Sequence, residues 1–458
     1  MFMIQHPSLF SLSRLAALNY CIFAAVQLTI GFVSPASADD WPQWLGPNRD
    51  SIWAEGGIID KFPEDLKSIE LWRKPIGYGY AGPAVGDGRV FVMDYQKSGG
   101  TLANNPGNRD KLEGQERVLC YDAKTGQVLW THAYDRIYSL SYAGGPRCTP
   151  AVSGDHVYAL GAEGDLWCLA VADGKVVWHK DLQTEYKTRT GMWGFCGHPL
   201  IDGDTLYCLV GGEGSVAVAF DKMTGKEKWR ALSASEPGYC PPVMIEHEGS
   251  KQLLIWHPEA LNSLDPDTGR ILWWIPVKSA YNMSCASPRK LGDRLFLSGI
   301  GGLARMFQFK PGTSGVEEVW TATPKQGVYC SNSTPLFHDG TIYGCDVNSS
   351  MFMAVNAGDG KRLWGSFAPT TASKDRTLRH GTTFAVKNGD RHFFFSETGD
   401  LIIAKIAPNG YFEASRTHIL DPTNEAFGRK VVWSHPAFAQ RCVFARNDKE
   451  IVCINLAK

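Results

Sequence analysis

The chain lacks an excess of either charge: 46 Lys and Arg stand against 47 Asp and Glu, for a net charge of −1 at neutral pH. Nucleic acid and anionic membrane surfaces are held by a basic footprint, so neither is expected as the main partner. Compact metal spacings are missing as well. No Cys-x-x-Cys and no His-Glu-x-x-His occurs in the 458 residues, which removes the commonest zinc frameworks. Cys-x-x-Cys-His is absent too, and with it the attachment sequence for covalent haem. After residue 33 no apolar run is long enough to span a bilayer. What is abundant is Gly (48), Pro (25) and Trp (15), a mixture that favours short strands and tight turns over helices.

Residues 1–38 read as an export signal. Arg14 precedes an apolar stretch over 15–33, and Ala36-Ser37-Ala38 forms a small-x-small cleavage site before Asp39. Cleavage after Ala38 is expected, giving an exported protein in the periplasm or another extracytoplasmic space. An uncleaved anchor is the alternative, but Asn19, Tyr20 and Gln27 weaken it as a membrane span. Cys21 lies inside the apolar run and not after a small residue at its end, so no lipoprotein box is present. Without Cys21 the twelve cysteines become eleven, an odd number. At least one is then unpaired in a monomer, the expected state.

A short phrase recurs along the rest of the chain. "YDAKTGQVLW" (121–130) is echoed by "DKMTGKEKW" (221–229), "DPDTGRILW" (265–273) and "AGDGKRLW" (357–364). Tryptophans at 72, 130, 178, 229, 273, 320 and 364 are 44 to 58 residues apart, and Trp433 follows after a longer gap. Between them a Pro precedes a short apolar run, as in "TPAVSGDHVYAL" (149–160) and "TPLFHDGTIYGC" (334–345). Each unit reads as four short antiparallel strands, with the Trp on the fourth. Eight such units predict an all-β, eight-bladed propeller over 70–458. Gly supplies the positive φ of the turn, Asp or Thr caps it, and Trp covers the seam with the next blade.

No WD dipeptide occurs and Gly-Gly pairs are not periodic, which sets aside the WD and kelch repeats of similar period. The Asp-x-x-Thr-Gly-x-x-x-Trp phrase resembles the repeat of pyrroloquinoline-quinone (PQQ)-like β-propellers over about residues 71–458. The opening "WPQWLGPNRD" (41–50) resembles the leader of exported proteins of this type. That family includes quinone-dependent alcohol dehydrogenases and the BamB-type lipoprotein of outer-membrane barrel assembly.

Ring closure is predictable. Three strands remain after Trp433, whereas "ELWRKPI" (70–76) is a fourth-type strand with no strands before it. It should complete the last blade and remove an exposed edge, leaving 39–69 as an arm packed on the outside or a rim.

Strand alternation puts the Thr-Gly turns on one face and the blade-to-blade loops on the other. Those loops hold Tyr80, Tyr142, Arg147, Trp193, His198, Tyr239, Tyr281, Asn282, Tyr329, Asn332, Arg379, His380 and His435. They are the candidate ligand contacts, since loops on a rigid scaffold carry function; plugging of the funnel is the competing role. Cys148, Cys196, Cys240, Cys285 and Cys330 fall in five successive blades. They fit three roles: small buried residues near the axis, disulfides between neighbouring blades, or metal ligands with His198, His380 or His435. Cys120, Cys168 and Cys453 lie at matching third-strand positions and read as core. The segment "NNPGNRDKLEGQE" (104–116) is a polar insertion on the same face.

Two classes of function follow. The first is a non-catalytic scaffold that binds a protein or envelope ligand at the funnel mouth without a cofactor; a small-molecule or metal-binding propeller is a variant of it. The second is a dehydrogenase using PQQ and Ca²⁺. The resemblance implies an adjacent Cys-Cys pair over the quinone in such enzymes, and this chain has none. No carboxylate set for Ca²⁺ is recognisable either, so the scaffold is preferred.

Overall fold

The computed structural model describes residues 39–371 and 378–458. The expected export signal over 1–38 and its expected cleavage lie outside the described residues. Almost all of the regular structure is strand. Seven antiparallel sheets follow one another along the chain, at 84–135, 151–181, 200–231, 243–276, 289–321, 336–366 and 383–418; each has four strands in series, and the first gains a fifth, Tyr138–Leu140, paired with Asp110–Asp122. We number these blades 1 to 7. Blade 8 combines the last three strands, Ala437–Ala439, Cys442–Arg446 and Glu450–Asn455, with Glu70–Pro75 from the start of the chain. Trp72 pairs with Cys453 and Lys74 with Ile451, so the two ends of the propeller are joined as expected. First strands touch between blades 1 and 2, 2 and 3, 5 and 6, and 8 and 1.

The seams explain the repeated phrase. Asp122 accepts hydrogen bonds from the Thr125 N–H and hydroxyl, both at 2.8 Å, and so fixes the turn before Gly126; Asp221 and Thr224 repeat the arrangement. The tryptophan does not cover its own turn. It crosses to the turn of the next blade, where its indole N–H donates to a backbone carbonyl. Trp72 reaches Ala123, Trp130 reaches Val171, Trp178 reaches Lys222, Trp229 reaches Pro266 and Trp320 reaches Ala357, all at 2.9 Å. Trp364 does the same to Ala407 at 2.8 Å. The ring then lies on the glycine of that turn. A Cβ added at Gly174 would stand 2.6 Å from the Trp130 ring, and one at Gly269 would stand 2.6 Å from Trp229. Glycine is needed there twice over, for its positive φ and for the missing side chain.

Each outer strand bulges beside the tryptophan, and the residue opposite it is often small: Cys120, Cys168, Ala219, Ser263 or Ala354. This gives the third-strand cysteines their core role. Trp273 departs from the pattern and donates to Gln252 at 2.9 Å, because the facing turn, 310–315, is longer. Trp433 does not belong to the series. It follows an extra hairpin, Asn424–Ala426 with Arg429–Val431, which accounts for the longer gap. In blade 7 the tryptophan position is held by Ser415, opposite Ile403. Its hydroxyl accepts the Phe62 N–H at 3.0 Å, so the arm covers the one seam that has no indole.

The arm corrects a second expectation. Only its later part, around 58–69, lies on the outside, where Ile59, Phe62, Leu66 and Ile69 pack against the core of blades 7, 8 and 1. Residues 41–53 enter the axis. Trp41 bridges Val85 of blade 1, Arg49 donates to the carbonyls of His198 and Pro199 before blade 3, and Ile52 bridges Lys387 of blade 7. Arg289 of blade 5 donates to the carbonyls of Arg49 and Asp50, both at 2.8 Å. A plug on the axis supplies partners to first strands that no neighbouring strand reaches.

Two alanine substitutions separate the roles of glycine. Gly154 and Gly174 both have positive φ, but only Gly174 faces an indole. Gly154→Ala should cost about 1 kcal/mol, for the left-handed backbone alone. Gly174→Ala should cost roughly 2–4 kcal/mol, since overpacking adds to it. Urea unfolding midpoints check the order.

Candidate functional site

The blade-to-blade loops surround a cup of ≈770 Å³ on the face opposite the Thr-Gly turns. Twelve of the thirteen candidate contacts line it: Tyr80, Tyr142, Arg147, Trp193, His198, Tyr239, Tyr281, Asn282, Asn332, Arg379, His380 and His435. Tyr329 does not. Its hydroxyl donates to the Thr323 carbonyl at 2.8 Å and its ring lies under Arg362, away from the axis. A more open groove of ≈1380 Å³ lies beside blade 1, and none of the thirteen lines it.

The arm makes the floor. Trp44 stacks on His198, with ring centroids 4.6 Å apart and planes within 9°. The Thr149 N–H donates to Nδ1 of His198 at 2.9 Å, which leaves the ring proton on Nε2. Burial, then His435, then the Arg49 guanidinium hold His198 well below the usual imidazole range. Burial pushes His435 down to about 3, and burial followed by Arg429 and Arg379 pushes His380 down to about 4. All three rings are neutral at physiological pH.

The walls are aromatic. Trp193 meets Tyr239 edge-on at 5.4 Å, and Phe427 stacks on His380 at 4.7 Å. Phe427 and Tyr142 both lie within 6.4 Å of Trp433. Polar groups are few and mostly engaged. Glu236 accepts from Tyr239 Oη at 3.3 Å and from Asn282 Nδ2 at 3.4 Å. Arg147 is bound to the carbonyls of Ser141, Tyr142 and Gly145 and lies over Tyr80. Asn332 donates to Thr382 at 3.2 Å. The Tyr142 hydroxyl and the Trp44 indole N–H are buried without a partner.

Strained backbone gathers at the same rim. Tyr142, Tyr281, Asn282, His380 and Phe427 all have φ between 50° and 58°, a conformation that costs free energy in residues other than glycine. Surrounding contacts hold it there. Glu397, almost fully buried, accepts from Arg429, from the Trp433 indole and from the Thr382 N–H, and so braces the hairpin carrying Phe427. The polar insertion divides: Asp110–Asp122 is a strand, and only the preceding loop crosses the mouth. There Asn104 reaches Asn424 at 2.7 Å, Arg109 reaches the Thr190 carbonyl at 3.0 Å, and Pro106 and Gly107 line the cup.

The five loop cysteines divide by position. Cys196 and Cys285 line the cup, whereas Cys148, Cys240 and Cys330 are buried behind it. All eleven described cysteines are free thiols. Among the described residues no three His, Cys, Asp or Glu side chains converge as a metal site. Burial raises the Cys196 and Cys285 thiols above their ordinary value, so both are protonated. Residues missed in the sequence include Trp44, Glu236 and Phe427. Glu236 and Phe427 lie in loops whose lengths vary, and Trp44 lies outside the repeats.

Acid should act through the histidines of the cup. Between pH 6.5 and about 3 the unfolded chain protonates His435 while the folded cup does not. Stability is therefore complete above pH 6.5 and falls as the pH drops through that window. His435→Gln should flatten the slope of unfolding midpoint against pH. By NMR, His198 and His435 should not titrate between pH 5 and 8. His418 should, above 6.5, because Asp400 and Asp421 outweigh its burial.

No curated protein matches the chain. Among solved structures, BamB from Moraxella catarrhalis is similar with a TM-score of 0.55 and 14% identity, over 84% of this chain and 97% of that one. Quinohemoprotein alcohol dehydrogenase from Comamonas testosteroni gives a TM-score of 0.60 and 13% identity, over 91% and 80%. A europium-containing methanol dehydrogenase gives 0.58 and 12%, over 91% and 89%. At such identities these likenesses establish a shared β-propeller fold and no more. The sequence match is more specific: residues 114–366, over half the chain, fit the family described as outer membrane protein assembly factor BamB, and the chain belongs to that family.

Proposed function

We propose that this protein is an exported, non-catalytic binding propeller, acting as a monomer, that holds a protein or another envelope ligand at the mouth of its funnel. The observation that carries this reading is the cup. It joins aromatic walls, neutral histidines and strained rim residues on one face of a rigid ring. Concave, largely apolar sites with a few placed polar groups are where ligands bind. Membership of the BamB family supports a partner in the cell envelope. Among the described residues no helix is long and apolar enough to cross a membrane.

The dehydrogenase neighbours raise a second reading, and the donor set of the cup does not fit it. A quinone–calcium pair needs oxygen ligands and a free carboxylate base. Among the described residues Glu236 is the only carboxylate lining the cup, and Tyr239 and Asn282 each donate to one of its oxygens. No catalytic step is therefore assigned to the cup.

Site-specific photocrosslinking in the cell envelope tests the binding face. A crosslinker at Tyr281, which is 79% exposed at the mouth, should trap a discrete partner. The same group at Met223, 45% exposed on a Thr-Gly turn, should not. Equal trapping at both positions sinks the assignment. Saturable dye reduction by the purified chain on adding PQQ and Ca²⁺ sinks the non-catalytic reading.

A further inference from the structure

The base of the axial plug carries an unusual carboxylate. Glu55 is 9% exposed and sits where the arm returns from the axis. Its Oε2 accepts from the Trp53 indole N–H and from the Arg441 backbone N–H, both at 2.8 Å. Its Oε1 accepts from the backbone N–H of Asp39 at 3.1 Å. All three donors are neutral. Among the described residues no Lys, Arg or His pairs with Glu55. The Cys442 thiol lies near Glu55, Asp40 lies near the carboxylates of Asp39 and Asp87, and the Arg441 guanidinium lies over Gly57. A buried carboxylate without a cation is costly.

The residue that donates to Oε1 is also the first one after the small-x-small site Ala36-Ser37-Ala38. Its carbonyl accepts from the Gln440 N–H at 3.3 Å, so its backbone is held on both sides against blade 8. We infer that cleavage between Ala38 and Asp39 creates an α-ammonium that stays at this position and forms a partly buried ion pair with Glu55, locking the axial plug. The reaction is a hydrolysis by an envelope leader peptidase. One water is consumed, the C–N bond breaks, Ala38 leaves as a carboxylate, and the Asp39 amine takes up a proton. Nothing else in the fold has to move, because the nitrogen already lies at hydrogen-bond distance from its partner.

The pair closes the loop from 39 to 55, which carries Trp44 and Arg49 into the axis. Removal of the leader would thus set the floor of the cup, a maturation step independent of what the cup binds. The pH dependence has a definite sign. A free α-amino group has a pKa of about 8, and a carboxylate partner raises it. The added stability is complete below about pH 8 and is lost as the pH rises through the higher, folded value.

The test compares two forms of the soluble chain. One begins at Asp39 with a free amine, released from a fusion without extra residues. The other carries an N-acetyl group on Asp39. At pH 6.5 the free-amine form should melt higher by roughly 2 °C or more, the gap should close above about pH 10, and E55Q should abolish it. In the folded free-amine form, α-amine acylation at pH 7 should be at least tenfold slower than in urea, which keeps the test valid even if E55Q fails to fold. Equal melting temperatures, a gap that survives in E55Q, or acylation as fast as in urea overturns the pairing. Mass spectrometry of the exported protein should give a chain starting at Asp39, and any other start overturns it as well.

Discussion

The structure depends on one contact, made by an indole with the glycine turn of the neighbouring blade. A four-stranded blade of this length buries too little apolar surface to stand alone, so its stability lies in its seams. The tryptophan supplies a broad apolar face, and its N–H satisfies a carbonyl that would otherwise be lost beneath it. Because the contact runs from one blade to the next at six of the eight seams, the repeated phrase has two halves with different addressees. The Trp half is read by the following blade and the Asp-x-x-Thr-Gly half by the preceding one. Blade order is thereby written into the chain.

A ring fastened at its outer seams still has an open axis, and the arm fills it. The buried guanidiniums of Arg49 and Arg289 are met by backbone carbonyls and not by carboxylates. Burial accordingly lowers both to about 10. Planar donors suit this role, since each can hold carbonyls from separate segments at once. The plug crosses the axis beneath the cup, where Trp44 makes its floor, so the face carrying the variable loops becomes a pocket.

Most of the fold was legible in the sequence because the repeat is periodic and the seam chemistry is local. The closing strand was legible for the same reason: "ELWRKPI" has the shape of a fourth strand and lacks the other three. Reading stopped where periodicity stopped. Trp433 was grouped with the seam tryptophans by residue type, although no Thr-Gly turn precedes it, and it belongs to the mouth. Ser415 carried no signal, because its position is defined only by the register with Ile403. The cup's candidates were found because topology alone gathers the blade-to-blade loops. Tyr329 was the exception, since a loop position does not fix the direction of a side chain. The path of the arm was invisible, because its partners are backbone groups of distant blades.

Closure through Glu70–Pro75 has a consequence for how the chain acquires its shape. The strand that completes blade 8 is made first, and its partner Glu450–Asn455 is made last. Blades 1 to 7 can assemble from neighbours as they emerge, but the ring stays open until nearly the whole sequence has been delivered. That last pairing spans almost the full length of the chain, the kind of contact that slows folding. Until then the outer strand of blade 8 is an unpaired edge, open to other chains. A protein built this way places its greatest risk of misassembly at the end of its own synthesis.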